Sequence, residues 1–66
     1  MNIKINGKDE KVEKTVSIAG LISNKGLPAD RIVVEHNFKI IAKEEWPKIL
    51  LSEDDNLEIV SFMGGG

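Results

Sequence analysis

Asn6-Gly7 marks the point where this chain first has to turn back on itself. Both residues tolerate the positive φ of a type I′ hairpin turn, which makes the pair the strongest short hairpin signal. Directly before it, Ile3 and Ile5 point one way while Asn2, Lys4 and Asn6 point the other, the period of a half-buried strand. A strand over residues 1–6 is therefore predicted. A second follows from about Lys8 to Lys14, more polar and so placed at an edge, with Val12 its main inward residue.

Thr15 is the expected N-cap of a helix over residues 16–25, in which Ile18, Leu21 and Ile22 form one stripe. Gly20 weakens that helix by about 1 kcal/mol relative to Ala. Gly26 suits the left-handed position that ends it, and Pro28 lies just past. Ile32-Val33-Val34 opens a β-branched strand, Asn37 and Phe38 make a turn, and Ile40-Ile41 resumes a short strand. Lys43 to Pro47 predicts one helical turn closed by its proline, and Ile49 to Leu51 a short extended piece. Ser52 to Asn56 is a polar turn cluster, and Leu57 to Met63 the last strand. The sum is an α+β domain with one main helix on one face of a mixed sheet, and the order ββαββ is that of the ubiquitin-like β-grasp. Residues 1–63 are expected to form that single domain and residues 64–66 a flexible glycine tail.

Composition narrows the functions. With 66 residues and no cysteine, disulfides, thiolate metal sites and thiol nucleophiles are ruled out, and apolar residues alone must hold the fold. His36 is the single histidine, so a zinc site is not expected. Acidic and basic residues interleave around a net charge of −2, without the basic cluster that nucleic acid requires. No apolar run exceeds three residues, so no membrane span is expected. Met1-Asn2-Ile3-Lys4 carries no signal-peptide pattern, and a soluble cytoplasmic protein, monomeric when free, is the expectation.

Few side chains offer chemistry. His36 has no evident orienting partner and is expected to be a strand-end residue. Glu53, Asp54 and Asp55 lack EF-hand spacing and read as a solvated turn. Glu44 and Glu45 are adjacent and do not share a helical face, and Trp46 reads as a lid over the core. The chain is not expected to be an enzyme. Gly64, Gly65 and Gly66 add nothing to a core and lose much entropy on ordering. They suit a thread that enters a narrow channel and delivers the α-carboxylate of Gly66. A carboxylate reacts only once an oxygen becomes a leaving group, and the chain has no phosphate loop, so activation would come from a separate enzyme. On the glycines alone, an inert tail fits as well.

Further stretches are Ile3-Lys4-Ile5-Asn6-Gly7-Lys8, Val33-Val34-Glu35-His36-Asn37, Ile40-Ile41-Ala42-Lys43-Glu44 with Trp46, and Leu57-Glu58-Ile59-Val60-Ser61-Phe62-Met63-Gly64-Gly65-Gly66. In these the chain resembles the ThiS family of thiamine-pathway sulfur carriers, the ending being the most specific element. Asp54, where the family often has glycine, and Met63, where valine or isoleucine is common, depart from it. The resemblance implies that no cofactor is bound: a ThiF-type enzyme adenylates Gly66 with ATP. Sulfur from a cysteine desulfurase system then gives a C-terminal thiocarboxylate, which thiazole synthase, ThiG, uses. A molybdopterin synthase small subunit or another thiolation-pathway carrier would share this terminal chemistry. A protein modifier or a plain β-grasp interaction module also stays open. For docking, alternation puts Val60 and Phe62 on the outer face beside the tail, with Val33 and Met63 joining them and Glu35 and Glu58 as a rim. Phe62 reads equally well as the last core residue.

Overall fold

The opening alternation makes β1 (Asn2–Ile5), which buries Ile3 and Ile5 and exposes Asn2 and Lys4. It returns through Asn6 (φ 52°) and Gly7 (φ 82°) as β2 (Lys8–Lys11), antiparallel, with Ile5 opposite Lys8. The structure, a computed structural model, describes residues 1–62. β2 is shorter than expected, but Val12 continues the pairing. Its N–H donates to the Met1 carbonyl at 2.9 Å, and the Met1 amino group donates to the Val12 carbonyl at 2.8 Å. Lys8 and Glu10 share the inward side with Ile5 and Ile3, and Glu10 pairs with Lys25. Inward charges on an edge strand discourage pairing with other chains.

The helix α1 (Ile18–Asn24) buries Ile18, Leu21 and Ile22, as the stripe requires. Its cap is Ser17, not Thr15: the Ser17 Oγ accepts the Gly20 N–H at 2.9 Å. Thr15 instead occupies a turn at φ 65° and bonds the Lys14 carbonyl, so its hydroxyl is not available to the helix. Gly26 takes φ 67° and ends the helix.

β3 (Ile32–His36) and β4 (Lys39–Ile41) are joined through Asn37 (φ 51°) and Phe38 (φ 71°). A 3-10 helix then spans Lys43–Lys48 and contains Pro47 rather than ending at it. So short a helix leaves most of its N–H groups without internal partners, so a residue lacking one costs little. Trp46 is buried as the lid over the core, its Nε1–H donating to the Ile41 carbonyl at 3.2 Å. The Ile49–Leu51 piece is extended and bonds the entry to α1, with Ile18 N–H to the Ile49 carbonyl at 3.0 Å and Leu51 N–H to the Val16 carbonyl at 2.9 Å.

The chain closes the sheet with β5 (Asn56–Ser61) at its centre, in the order β2-β1-β5-β3-β4. β5 runs parallel to β1 (Ile5 opposite Leu57) and antiparallel to β3 (Val33 opposite Val60). The result is the α+β architecture expected, one main helix across one face of a mixed sheet. Three strands follow the helix rather than the two of ββαββ, because Lys39–Ile41 pairs with β3 as a strand of its own. Ile3, Ile18, Val34 and Leu57 are its most deeply buried side chains. Asp54 adopts φ 69°, a conformation that favours glycine and that Asp tolerates better than bulkier residues. Among the described residues, no helix is long and apolar enough to cross a membrane.

Candidate functional site

β5 sorts its side chains by parity. Leu57 is buried and Ile59 half-buried against the helix side, whereas Val60 is 58% exposed and Phe62 47% exposed on the outer side. Val33 faces out directly opposite Val60, and Glu35 stands opposite Glu58. The structure thus brings Val33, Val60 and Phe62 together on the outer face. Phe62 is not under the helix, and its N–H donates to the Arg31 carbonyl at 2.8 Å, which extends the pairing with β3. Ile40, opposite Glu35 on β4 and well exposed, joins this face. The sequence reading missed it because two adjacent isoleucines do not say which one faces out; the β3–β4 register does. Met63, Gly64, Gly65 and Gly66 lie outside the described residues.

A second cluster corrects the reading of the polar turn. Asp55 is only 8% exposed, and His36 does have an orienting partner: its Nε2 lies 2.8 Å from Asp55 Oδ2. A carboxylate only accepts, so Nε2 carries the hydrogen. The Ser52 N–H donates to the same oxygen at 2.8 Å, and Asn37 Nδ2 donates to Oδ1 at 3.1 Å. Asn37 Oδ1 accepts the Asn56 N–H at 2.8 Å. Burial raises the Asp55 carboxyl pKa, but the hydrogen bonds from His36, Ser52 and Asn37 outweigh it and hold the group below its ordinary range. These groups use one another's hydrogen-bonding capacity, and the cluster clasps the start of β5 to the β3–β4 turn. Among the described residues, no three His, Asp or Glu side chains are grouped to hold a metal ion.

The ThiS family model matches residues 3–66. The chain belongs to the ThiS family. As a ThiS-family chain it is 40% identical over 65 residues to sulfur carrier protein ThiS of Bacillus subtilis (strain 168), covering 97% of this chain and 98% of that one. It is also 32% identical over 66 residues to thiazole synthase of Magnetococcus marinus, covering 100% of this chain but 20% of that protein. The thiazole synthase of Paramagnetospirillum magneticum is 30% identical over the same length, again with 20% of that protein covered. The chain therefore spans about a fifth of these two relatives. In three dimensions it superposes on the crystal structure of thiamine biosynthesis protein ThiS from Geobacter metallireducens with a TM-score of 0.87 at 29% identity, covering 100% of both chains. This ThiS fold agrees with the ubiquitin-like β-grasp reading.

Proposed function

We propose that this chain is a sulfur carrier for thiazole formation in thiamine biosynthesis, with the α-carboxylate of Gly66 as its working group. The observation that carries the proposal is the placement of β5. It is hydrogen-bonded on one side to β1 and on the other to β3, and its sequence leads through Phe62 into Gly64-Gly65-Gly66, all within the stretch matched by the family. A strand anchored on both sides is a firm base from which to present a side-chain-free segment.

The chemistry asks little of the chain. A carboxylate oxygen of Gly66 attacks the α-phosphorus of ATP in a ThiF-type enzyme, and pyrophosphate leaves. A persulfide formed on a cysteine of a desulfurase system then attacks the acyl carbon with its outer sulfur, and AMP leaves. A thiol attacks the cysteine sulfur of the resulting acyl disulfide, which releases the C-terminal thiocarboxylate and leaves a disulfide between that cysteine and the attacking thiol. The thiocarboxylate so formed donates its sulfur at a ThiG-type thiazole synthase. The chain binds no cofactor of its own and acts as substrate and carrier rather than enzyme. Likeness to about a fifth of each of two thiazole synthases supports a thiazole synthase as a partner.

Intact-mass analysis after incubation with ATP, a ThiF-type enzyme, cysteine, a desulfurase and a thiol reductant tests this. One oxygen exchanged for sulfur at the C-terminus is expected, and none after deletion of Gly65-Gly66. No exchange with partners that load another ThiS chain would overturn it. Appearance of the chain joined to lysines would indicate a protein modifier instead.

A further inference from the structure

The two edges of β5 are not equally filled. Phe62 donates to Arg31, and Asn37 donates to Asn56, so the even-numbered residues of β5 direct their backbone groups at β3. The odd-numbered residues face β1: the carbonyls of Asp55 and Leu57 accept the N–H groups of Lys4 and Asn6, both at 2.9 Å. β1 then ends at the Asn6-Gly7 turn, and at Ile59 no strand remains to pair. The Asn6 side chain takes the place of one: its Oδ1 accepts the Ile59 N–H at 2.7 Å and its Nδ2 donates to the Ile59 carbonyl at 3.1 Å. An amide side chain here mimics a peptide group. Two residues further along the same edge stands Ser61, exposed, with no partner across this edge among the described residues.

We infer that the open edge of β5 at Ser61 is a strand-docking site, filled by an extended backbone segment of the enzyme that activates Gly66. This rests on the function proposed above. The groups presented are one N–H and one C=O directed sideways from an extended strand, and an extended peptide complements both. Val60 and Phe62 flank the position on the outer face and give side chains of an incoming strand apolar surface. A strand seated there pairs with the chain at Ser61, five residues before Gly66 in the sequence, and so holds the enzyme close to the residue it activates. A second copy is a poorer occupant: among the described residues its matching edge is the same single residue, bounded by its own Asn6-Gly7 turn.

Ser61→Pro removes the sideways N–H and leaves the bonds to β3, made by Val60 and Phe62, in place. Ser61→Ala keeps the N–H. Binding to a ThiF-type enzyme is expected to be equal for the wild type and Ser61→Ala and about tenfold weaker for Ser61→Pro, with the melting temperature little changed. Equal binding by a folded Ser61→Pro overturns the inference. Hydrogen exchange at the Ser61 amide decides the matter even if Ser61→Pro does not fold. It is expected to be fast in the free wild type and slowed in the complex; fast exchange in both, or protection in the free chain, overturns the inference. Self-association of the wild type through this edge overturns it too. Failure of the wild type to be adenylated strikes the proposed function instead, and is seen before any variant is compared.

Discussion

The His36 imidazole donates to Asp55 at 2.8 Å across a separation of 19 residues, and so ties the end of β3 to the turn that precedes β5. Burial raises the Asp55 carboxyl, and its hydrogen bonds more than offset this, holding the folded-state value below the ordinary 3.8. A carboxyl whose folded value lies below its unfolded one stabilises the fold fully above the unfolded value. That contribution is lost as pH falls from about 3.8 through the folded value. Denaturant unfolding at a series of acid pH values should show the wild type losing stability in this window more steeply than Asp55→Asn. At neutral pH, Asp55→Asn should cost about 1–3 kcal/mol, because Ser52 and His36 would each lose a charged acceptor. A variant as stable as the wild type at neutral pH would refute the clasp.

Asn6 does two jobs at once, and they can be separated. Asn6→Asp keeps tolerance of φ 52° and the acceptor for the Ile59 N–H, but places an anionic oxygen where an amide donated to the Ile59 carbonyl. A loss of about 1 kcal/mol is expected, seen as a melting temperature lower by about 4–8 °C. An unchanged melting temperature would mean that the amide does not act as a substitute strand.

Much of this architecture is legible in residue order, and what is not has identifiable causes. The hairpin and the helix stripe are local patterns, and Ile3, Ile5, Ile18 and Leu21 are buried where those patterns put them. Thr15 and Ser17 are both competent caps two residues apart, and only the backbone at φ 65° tells that Thr15 is in a turn. Asp55 sits in Ser52-Glu53-Asp54-Asp55-Asn56, whose composition signals solvent, and its partners His36 and Asn37 belong to another hairpin. The parallel pairing of β1 with β5 joins Ile5 to Leu57, at nearly opposite ends of the sequence, and no local pattern records it. Of the candidate site, the outward parity of Val60 and Phe62 followed from alternation, while Ile40 needed the register.

Phe38 stands at φ 71° with 82% of its surface exposed, so it meets the steric cost of a left-handed conformation without burial in return. Phe38→Gly would convert the turn to Asn-Gly, the preferred hairpin pair. The greater freedom of glycine in the unfolded chain offsets part of the relief. A net gain of about 0.5–1 kcal/mol is expected, measured as a higher denaturation midpoint with an unchanged slope. Destabilisation would show that Phe38 makes contacts that matter to the fold.

The outer face calls for variants that separate docking from folding. Val60 and Phe62 keep much of their surface in solvent, so their replacement should shift stability by roughly 0.5 kcal/mol, the usual size for surface sites. Interface anchors behave differently, since a desolvated aromatic commonly costs about 2 kcal/mol or more of binding when truncated. Phe62→Ala and Val60→Lys should therefore bind a ThiF-type enzyme at least about tenfold more weakly while melting close to the wild type. Val60→Lys also places a cation near Glu35 and Glu58, which favours the fold and sharpens the contrast. Titration calorimetry beside thermal melts gives both quantities on the same preparations. Binding that stays intact in both variants would remove this face from the encounter and leave only residues 63–66 and the β5 edge to make it.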